Sequence, residues 1–399
     1  MTLLNGNGGA ELSGAAPRSG AGGSLRIGLM LRSLDERGGV GVYTRYLLQE
    51  LLALDHTNHY VLFYAHAGHL GRYARHSNVT EVVVGAWNKA AWDQWAIPLA
   101  CRKHRVDVVF HPKFTAPLLA PCKVVMVLHG ADWFIPAHAK FYGALDIRYM
   151  KLMMPLYLWK CARVVSVSQI TTDEFERIFQ TARGKVQTIY FGPGKHFRRV
   201  DDPAVLSEVK RKYRLPDQFI FTLSGYDRGR RKNIDRILEA YRLFHGATPH
   251  ALVVGGRDCD KFRRDFNVPS DGWGGDILFP GWIEQEDLPA IYSMAGVYLY
   301  PSNLEAFPIP LTEAMACETP IVTSSLNGLK EIAGEAALFV DADDPGAIAA
   351  GVRRVLTDAS LRQELQAKAR QRSRMFDWEK CARETLNLLN AVCRPADRA

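Results

Sequence analysis

Glu305-Ala-Phe-Pro-Ile-Pro-Leu-Thr-Glu313 sets two carboxylates eight positions apart, on either side of a proline-punctuated turn that opens a helix predicted over Leu311 to Cys317. Pro308 and Pro310 suit a helix start, where proline's missing N–H costs nothing. Glu305 falls on the loop before the helix and Glu313 on its first turn. The helix N-terminus between them presents unpaired N–H groups and partial positive charge, which attract an anion. Carboxylates beside such a site do not grip the anion; they accept hydrogen bonds from hydroxyls attached to it. A phosphate flanked by hydroxyl-rich groups describes a nucleotide sugar. A glutamate early in a helix also simply complements the dipole, so the surrounding elements carry weight.

Tyr298-Leu299-Tyr300-Pro301-Ser302 reads as a buried strand ending at Pro301, and Thr319 to Ser324 as the next strand. The glutamate segment is therefore the connection from strand to helix in a βαβ unit. Ligands of open α/β sheets bind outside the carboxyl ends of strands, where this loop lies.

Three further constellations stand in comparable places. Gly225 to Asn233 carries Arg228, Arg230, Arg231 and Lys232 between a strand and a helix start. Guanidinium forks and a lysine there suit a diphosphate, or form a solvated basic loop. Gly38-Gly39-Val40-Gly41 follows the first strand and opens a helix. Its glycines permit close backbone approach to phosphate or sugar, and its pattern is not that of a dinucleotide-binding turn. His129-Gly130-Ala131-Asp132 ends another strand, which places the imidazole at the binding edge of the sheet. Ser168, by contrast, reads as a helix N-cap.

Pro301-Ser302, Glu305-x7-Glu313 and Glu313-Ala-Met-Ala resemble the donor-site signature of retaining glycosyltransferases of family 4 (glycosyl transferases group 1). The likeness covers nearly the whole chain after about Leu25. It implies the GT-B fold: two Rossmann-like, doubly wound α/β domains facing across a cleft. It also implies that Glu305 contacts the donor sugar's hydroxyls and Glu313 the nucleotide ribose, with Ala306, Phe307 and Pro308 completing the donor segment. Gly39 and Gly41 would touch the donor diphosphate or the acceptor. His129 would contact the sugar near the reacting carbon. Lys232 with an arginine, Arg228 first and Arg231 second, would neutralise the leaving diphosphate. Two positions depart from the family pattern: Gly130 stands where an aspartate is usual, and Tyr226 where the arginine is usual.

The expected activity is retaining transfer of a sugar from a nucleotide-sugar donor, which is a substrate, to a glycan or lipid-linked acceptor. Bacterial-type polysaccharide or glycolipid assembly is the expected setting. No cofactor and no metal are expected. The alternatives are another GT-B enzyme such as a sugar-nucleotide epimerase, with Asp35 or Glu36 as base, and an inactive donor-binding subunit.

The elements that must position these residues alternate along the chain. Strands are predicted at 25–31, 59–65, 80–84, 107–110, 123–128, 163–167 and 185–190, then at 219–223, 251–255, 276–279, 297–300, 320–323 and 337–340. Alternation with helices implies parallel sheets covered on both faces. Phe191-Gly-Pro-Gly-Lys195 is the strongest linker signal. The expected domains are a disordered leader at 1–24, an acceptor domain at 25–195 and a donor domain at 196–375. A C-terminal helix at 376–399 is expected to cross back to the first domain.

The 399 residues are too many for one ordinary domain. The net charge of +8 leaves nucleic acid, nucleotide phosphates and anionic lipid open as partners; the resemblance selects the nucleotide sugar and no nucleic acid. The 7 cysteines show no CxxC pair, an odd count that argues for reduced thiols in a cytoplasmic protein. Peripheral contact with the inner face of a membrane fits the basic first half. The apolar run Met150 to Trp159 reads as a buried helix, with lipid docking as the rival reading. Oligomeric state is not legible.

Overall fold

Short runs of β-branched and aromatic residues, each stopped by glycine, proline or a polar turn, form the strands of two sheets. The structure is a computed structural model that describes residues 11–12, 23–36, 38–226, 231–269 and 276–394. The first sheet holds β1 (Glu11–Leu12), β2 (Arg26–Met30), β3 (His59–Tyr64), β4 (Val79–Val83), β5 (Val108–His111), β6 (Lys123–Leu128), β7 (Arg163–Ser166) and β8 (Val186–Thr188). Its spatial order is β1-β4-β3-β2-β5-β6-β7-β8, parallel except for β1 at the edge. The second holds β9 (Phe219–Leu223), β10 (Ala251–Gly255), β11 (Ile277–Gly281), β12 (Val297–Tyr300), β13 (Ile321–Ser324) and β14 (Ala337–Val340), in the order β11-β10-β9-β12-β13-β14. Both sheets are doubly wound, as expected, and helices cover them. Their central strands are buried on both faces, which is why they read as continuous apolar runs rather than alternating ones.

In each sheet the direction of winding reverses once. The reversal lies between β2 and β5 in the first and between β9 and β12 in the second. At such a point the two following loops part, leaving a crevice at the carboxyl ends of the strands.

Chain contacts divide the molecule into one unit of residues 1–190 with 378–399 and a second of residues 191–377. The sequence placed Phe191 to Lys195 with the first unit. Packing assigns Phe191 to the second, because its ring stacks on Phe307 at 3.9 Å. The helix Trp378–Cys393 packs in the first unit, where Trp378 is buried against Tyr43 and Tyr46 at 5.7 and 5.3 Å. Of the expected leader, Glu11–Leu12 pairs with β4 instead of lying structureless, and residues 1–10 and 13–22 lie outside the described residues.

Among the described residues, the helices Pro203–Tyr213, Asp260–Asp265 and Gly328–Ala333 escaped the sequence. The sequence before β5 also predicts one helix near Asp93 to His104; the structure breaks it into Lys89–Ala91, a π turn at Trp92–Ala96 and Ile97–Lys103. Pro98 explains the break, since it has no N–H to give to the carbonyl one turn back. Ser168 caps its helix as expected, accepting from Thr171 N at 3.3 Å.

Candidate active site

The reversal point of the second sheet brings together Glu305, Arg231 and Lys232, three of the residues expected to act on the donor. β12 ends at Tyr300, and the loop Pro301–Pro308 carries Glu305. β9 ends at Leu223, and its loop returns through Arg231 and Lys232 to the helix Ile234–Arg242. Asn233 joins the two loops. It adopts the left-handed conformation at φ +59°, which a short polar side chain tolerates. Its buried side-chain amide donates to the carbonyls of Pro301 at 3.0 Å and Ala342 at 2.7 Å. Arg231 O accepts from Ser302 Oγ at 3.0 Å and from Asn303 N at 2.9 Å. The cationic loop is thus fastened to the glutamate loop before any side-chain charge is considered.

The charges then meet. Lys232 Nζ lies 2.5 Å from Glu305 Oε1, which also accepts from Tyr300 OH at 2.9 Å and Ser302 Oγ at 3.0 Å. Lys232 also donates to Tyr300 OH and sits 4.6 Å from the centre of that ring. Arg231 Nη1 is 3.3 Å from Glu305 Oε2. Burial alone would raise the Glu305 carboxyl; the charges of Lys232 and then Arg231 outweigh it and hold it below its ordinary value. Lys232 is the stronger partner, because its side chain is 17% exposed against 37% for Arg231 and is less screened. A carboxylate held ionised beside two cations can orient hydroxyls while the cations face developing negative charge.

Arg228, the sequence's first choice of arginine, lies outside the described residues. Arg231, the second choice, is the one seen at Glu305. Tyr226, in the usual arginine slot, turns instead to helix Asp260–Asp265, where its hydroxyl donates to Asp265.

Glu313 differs from its expectation. The helix begins at Ile309, so Glu313 stands in the second turn and does not complement the dipole. Its carboxyl is buried, and among the described residues only Tyr292 OH donates to it, at 3.2 Å. Burial lifts it from 4.5 to about 7, against the smaller opposing effect of that hydrogen bond. The Phe307 ring is held between Phe191 at 3.9 Å and Phe376 at 5.8 Å. Pro308 is the N-cap of the helix, and Ala306 lies between, partly exposed. Gly328, which the sequence did not single out, donates its N–H to Glu305 O at 2.8 Å and holds the loop from the far side.

The reversal point of the first sheet is a second polar cluster. Gly39 begins the helix Gly39–Leu54. At Gly41 a Cβ would meet Glu36 O at 1.8 Å, so this glycine serves the approach of its own chain. Glu36 pairs with Lys113 at 2.5 Å, and Asp35 with His69 at 2.8 Å. Both are thus committed to basic partners rather than poised alone as a catalytic base. Arg32, just past β2, donates to Asp93 at 3.1 Å; Thr115 Oγ1 donates to the same carboxylate at 2.8 Å. Thr115 also contacts His111 Nδ1, leaving the buried Nε2 without a hydrogen-bond partner among the described residues. Sequence reasoning missed Arg32, Asp93 and His111. Arg32 follows β2 and His111 ends β5, while Asp93 comes from the helical turn Trp92–Ala96, so their meeting becomes visible only once β2 and β5 are known to be neighbours.

His129, past β6, keeps its Nε2 3.0 Å from Pro112 O. A carbonyl only accepts, so Nε2 carries the hydrogen and Nδ1 the lone pair. The residue keeps some exposure, but the rings of Tyr43 and Phe114 enclose it at 5.0 and 6.0 Å. Burial pushes the imidazole down to about 4, outweighing the Pro112 hydrogen bond. Its ring resonances are therefore expected to stay flat between about pH 5.5 and 8 in an NMR titration; a midpoint near 6.5 would contradict this environment. Gly130 follows at φ +146°, a conformation closed to the aspartate usual there. Asp132 accepts from Tyr142 at 3.2 Å. Among the described residues no group of three or more His, Cys, Asp or Glu is placed to hold a metal ion.

Residues 37–193 match the family Glycosyltransferase Family 4, and residues 207–372 match Glycosyl transferases group 1. The O-antigen chain mannosyltransferase B of Escherichia coli is 28% identical over 292 residues, covering 70% of this chain and 74% of that protein. The serotype-specific mannosyltransferase WbdA of Escherichia coli is 27% identical over 271 residues, 66% of this chain but 32% of its own length. The solved structure of HepE from Anabaena in complex with UDP-glucose superposes with a TM-score of 0.73 at 14% identity, covering 92% of this chain and 100% of that one. The sheet order, the two matched regions and these relatives agree: the chain belongs to glycosyltransferase family 4, group 1, and is a glycosyltransferase of the GT-B fold.

Proposed function

We propose that the protein transfers a sugar, with retention of configuration, from a nucleoside diphosphate sugar to a glycan or lipid-linked acceptor during polysaccharide or glycolipid assembly. The observation that carries this reading is the Lys232–Glu305–Arg231 cluster at the reversal point of the second sheet. Lys232 and Arg231 neutralise the diphosphate as the glycosidic bond to it breaks, and Glu305 orients sugar hydroxyls. Glu313 receives the ribose hydroxyls. His129, held neutral with its Nδ1 lone pair available, accepts a hydrogen bond from the sugar. The leaving phosphate takes the acceptor proton, so no enzyme carboxylate attacks the sugar. The mannosyltransferase relatives make a mannose donor the first to try. On this reading the protein works in the cytoplasm, attached peripherally to the membrane's inner face. No helix of the described residues is long and apolar enough to cross a membrane.

A thermal-shift screen of nucleoside diphosphate mannoses, UDP-glucose and the free nucleotides tests the donor class. A matching donor at about a hundredfold its Kd stabilises the fold by about 2.7 kcal/mol. No shift with any nucleotide or nucleotide sugar would defeat the proposal.

A further inference from the structure

The helix Ala144–Lys160 is apolar on two faces, and the unit it belongs to covers one of them. Met150, Met154, Tyr157 and Leu158 are buried in the first unit's core. Leu145, Tyr149, Leu152, Leu156 and Trp159 are exposed, Leu152 by 72% and Trp159 by 76%. The sequence read this run as a buried helix; the structure corrects that for half of it. The exposed five follow a 4-3-4-3 spacing and, at 100° per residue, fall within an arc of about 80°. They are one stripe rather than scattered surface residues.

Exposed apolar residues also lie on adjoining segments. Lys160 Nζ donates to Ala120 O at 2.7 Å, and Gln94 donates to Ala116 O and accepts from Leu118 N, both at 2.9 Å. The 116–120 loop, with exposed Leu119, therefore links this helix to the segment bearing exposed Trp95 and Leu99. Basic groups border the apolar surface: Arg148 and Lys151 on the helix, and Arg102 and Lys103 on the neighbouring segment, all exposed. The only acidic residue of the helix is Asp146.

We infer that this face of the first unit docks on the surface of an anionic lipid bilayer. An apolar face of leucine and tryptophan beside arginine and lysine is the composition that lies in the bilayer interface, with side chains among the acyl boundary and cations at the headgroups. The charge complementarity commits the face to anionic lipid over a second copy of this chain, whose equally basic face would be repelled. The choice of lipid also rests on the proposed lipid-linked acceptor, which docking would bring within reach.

The test is co-sedimentation of the full chain with phosphatidylcholine vesicles, with and without phosphatidylglycerol, at low and high salt. Binding is expected with phosphatidylglycerol, weakened by salt because exposed charges are screened within about 10 Å at 0.1 M. Leu152→Ser with Trp159→Ser should lower the partition coefficient about tenfold or more, and Arg148→Glu with Lys151→Glu should remove the preference for anionic lipid. Wild-type melting temperatures and nucleotide-sugar thermal shifts in the variants would separate docking from folding and from the transferase reading. No sedimentation at low salt, or self-association of the wild type abolished by Leu152→Ser with Trp159→Ser, would overturn the inference and leave donor binding untouched.

Discussion

Lys232→Ala is expected to cut sugar transfer by roughly a hundredfold or more, the scale of one removed electrostatic stabiliser of a transition state. The loss should fall on kcat more than on KM, because the diphosphate gains charge as the glycosidic bond breaks and the cation acts most strongly then. Removal also strips Glu305 of its nearer and less screened cation, leaving Arg231 at 3.3 Å. A fall in melting temperature is therefore expected, since a buried carboxylate keeps its desolvation cost when it loses a partner. Lys232→Arg separates the two effects: it restores a charge beside Glu305, while a planar guanidinium does not reproduce a compact ammonium. Partial recovery of stability with little recovery of kcat would assign Lys232 to the chemistry. Near-wild-type turnover in Lys232→Ala would remove it. If these cations do the neutralising, turnover in EDTA should match turnover without it, and strict dependence on a divalent ion would refute the metal-free scheme.

Glu313 gives the second large effect, with opposite signs for stability and binding. Its folded-state pKa of about 7 lies above the ordinary 4.5, so the folded protein holds the proton more tightly than the unfolded chain. Stability from this group is full below about pH 4.5 and is lost as the pH rises through about 7. Keeping the carboxylate ionised and buried at pH 8 costs about 3 kcal/mol. Glu313→Gln is thus expected to raise the melting temperature of the free protein at pH 8 and to leave it nearly unchanged at pH 4.5. Binding should move the other way. Ribose hydroxyls would supply the donors that the ionised carboxylate lacks, so nucleoside diphosphate affinity should rise with pH through about 7. Glu313→Ala should weaken that affinity by about 1.5–3 kcal/mol, the worth of hydrogen bonds to a charged group. Equal nucleotide affinity in Glu313→Ala and wild type, by calorimetry, would cancel the assignment.

The sequence by itself determined the strands. β6, β9, β10 and β12 have the predicted bounds, because strands buried on both faces need unbroken apolar runs that stop at polar turns; the edge strand β14 also has them. It also placed Glu305 and Lys232 on loops at the carboxyl ends of strands, since strand-loop-helix order is local information. Strand order is not local. Only the tertiary structure made β9 and β12 neighbours, and with them Lys232 and Glu305, 73 positions apart in sequence. The same holds for Arg32 and His111 beside β2 and β5. Burial was equally out of reach. Glu313 reads from the sequence as a first-turn glutamate, and only the structure shows its carboxyl buried in the second turn with Tyr292 as its donor. The stacking of Phe307 on Phe191, 116 positions away, was likewise invisible in the sequence. In helix Ala144–Lys160 the sequence showed apolar residues on two sides, and only packing could decide which side the core would cover. Periodicity reports what a helix can bury; its neighbours determine what it does bury.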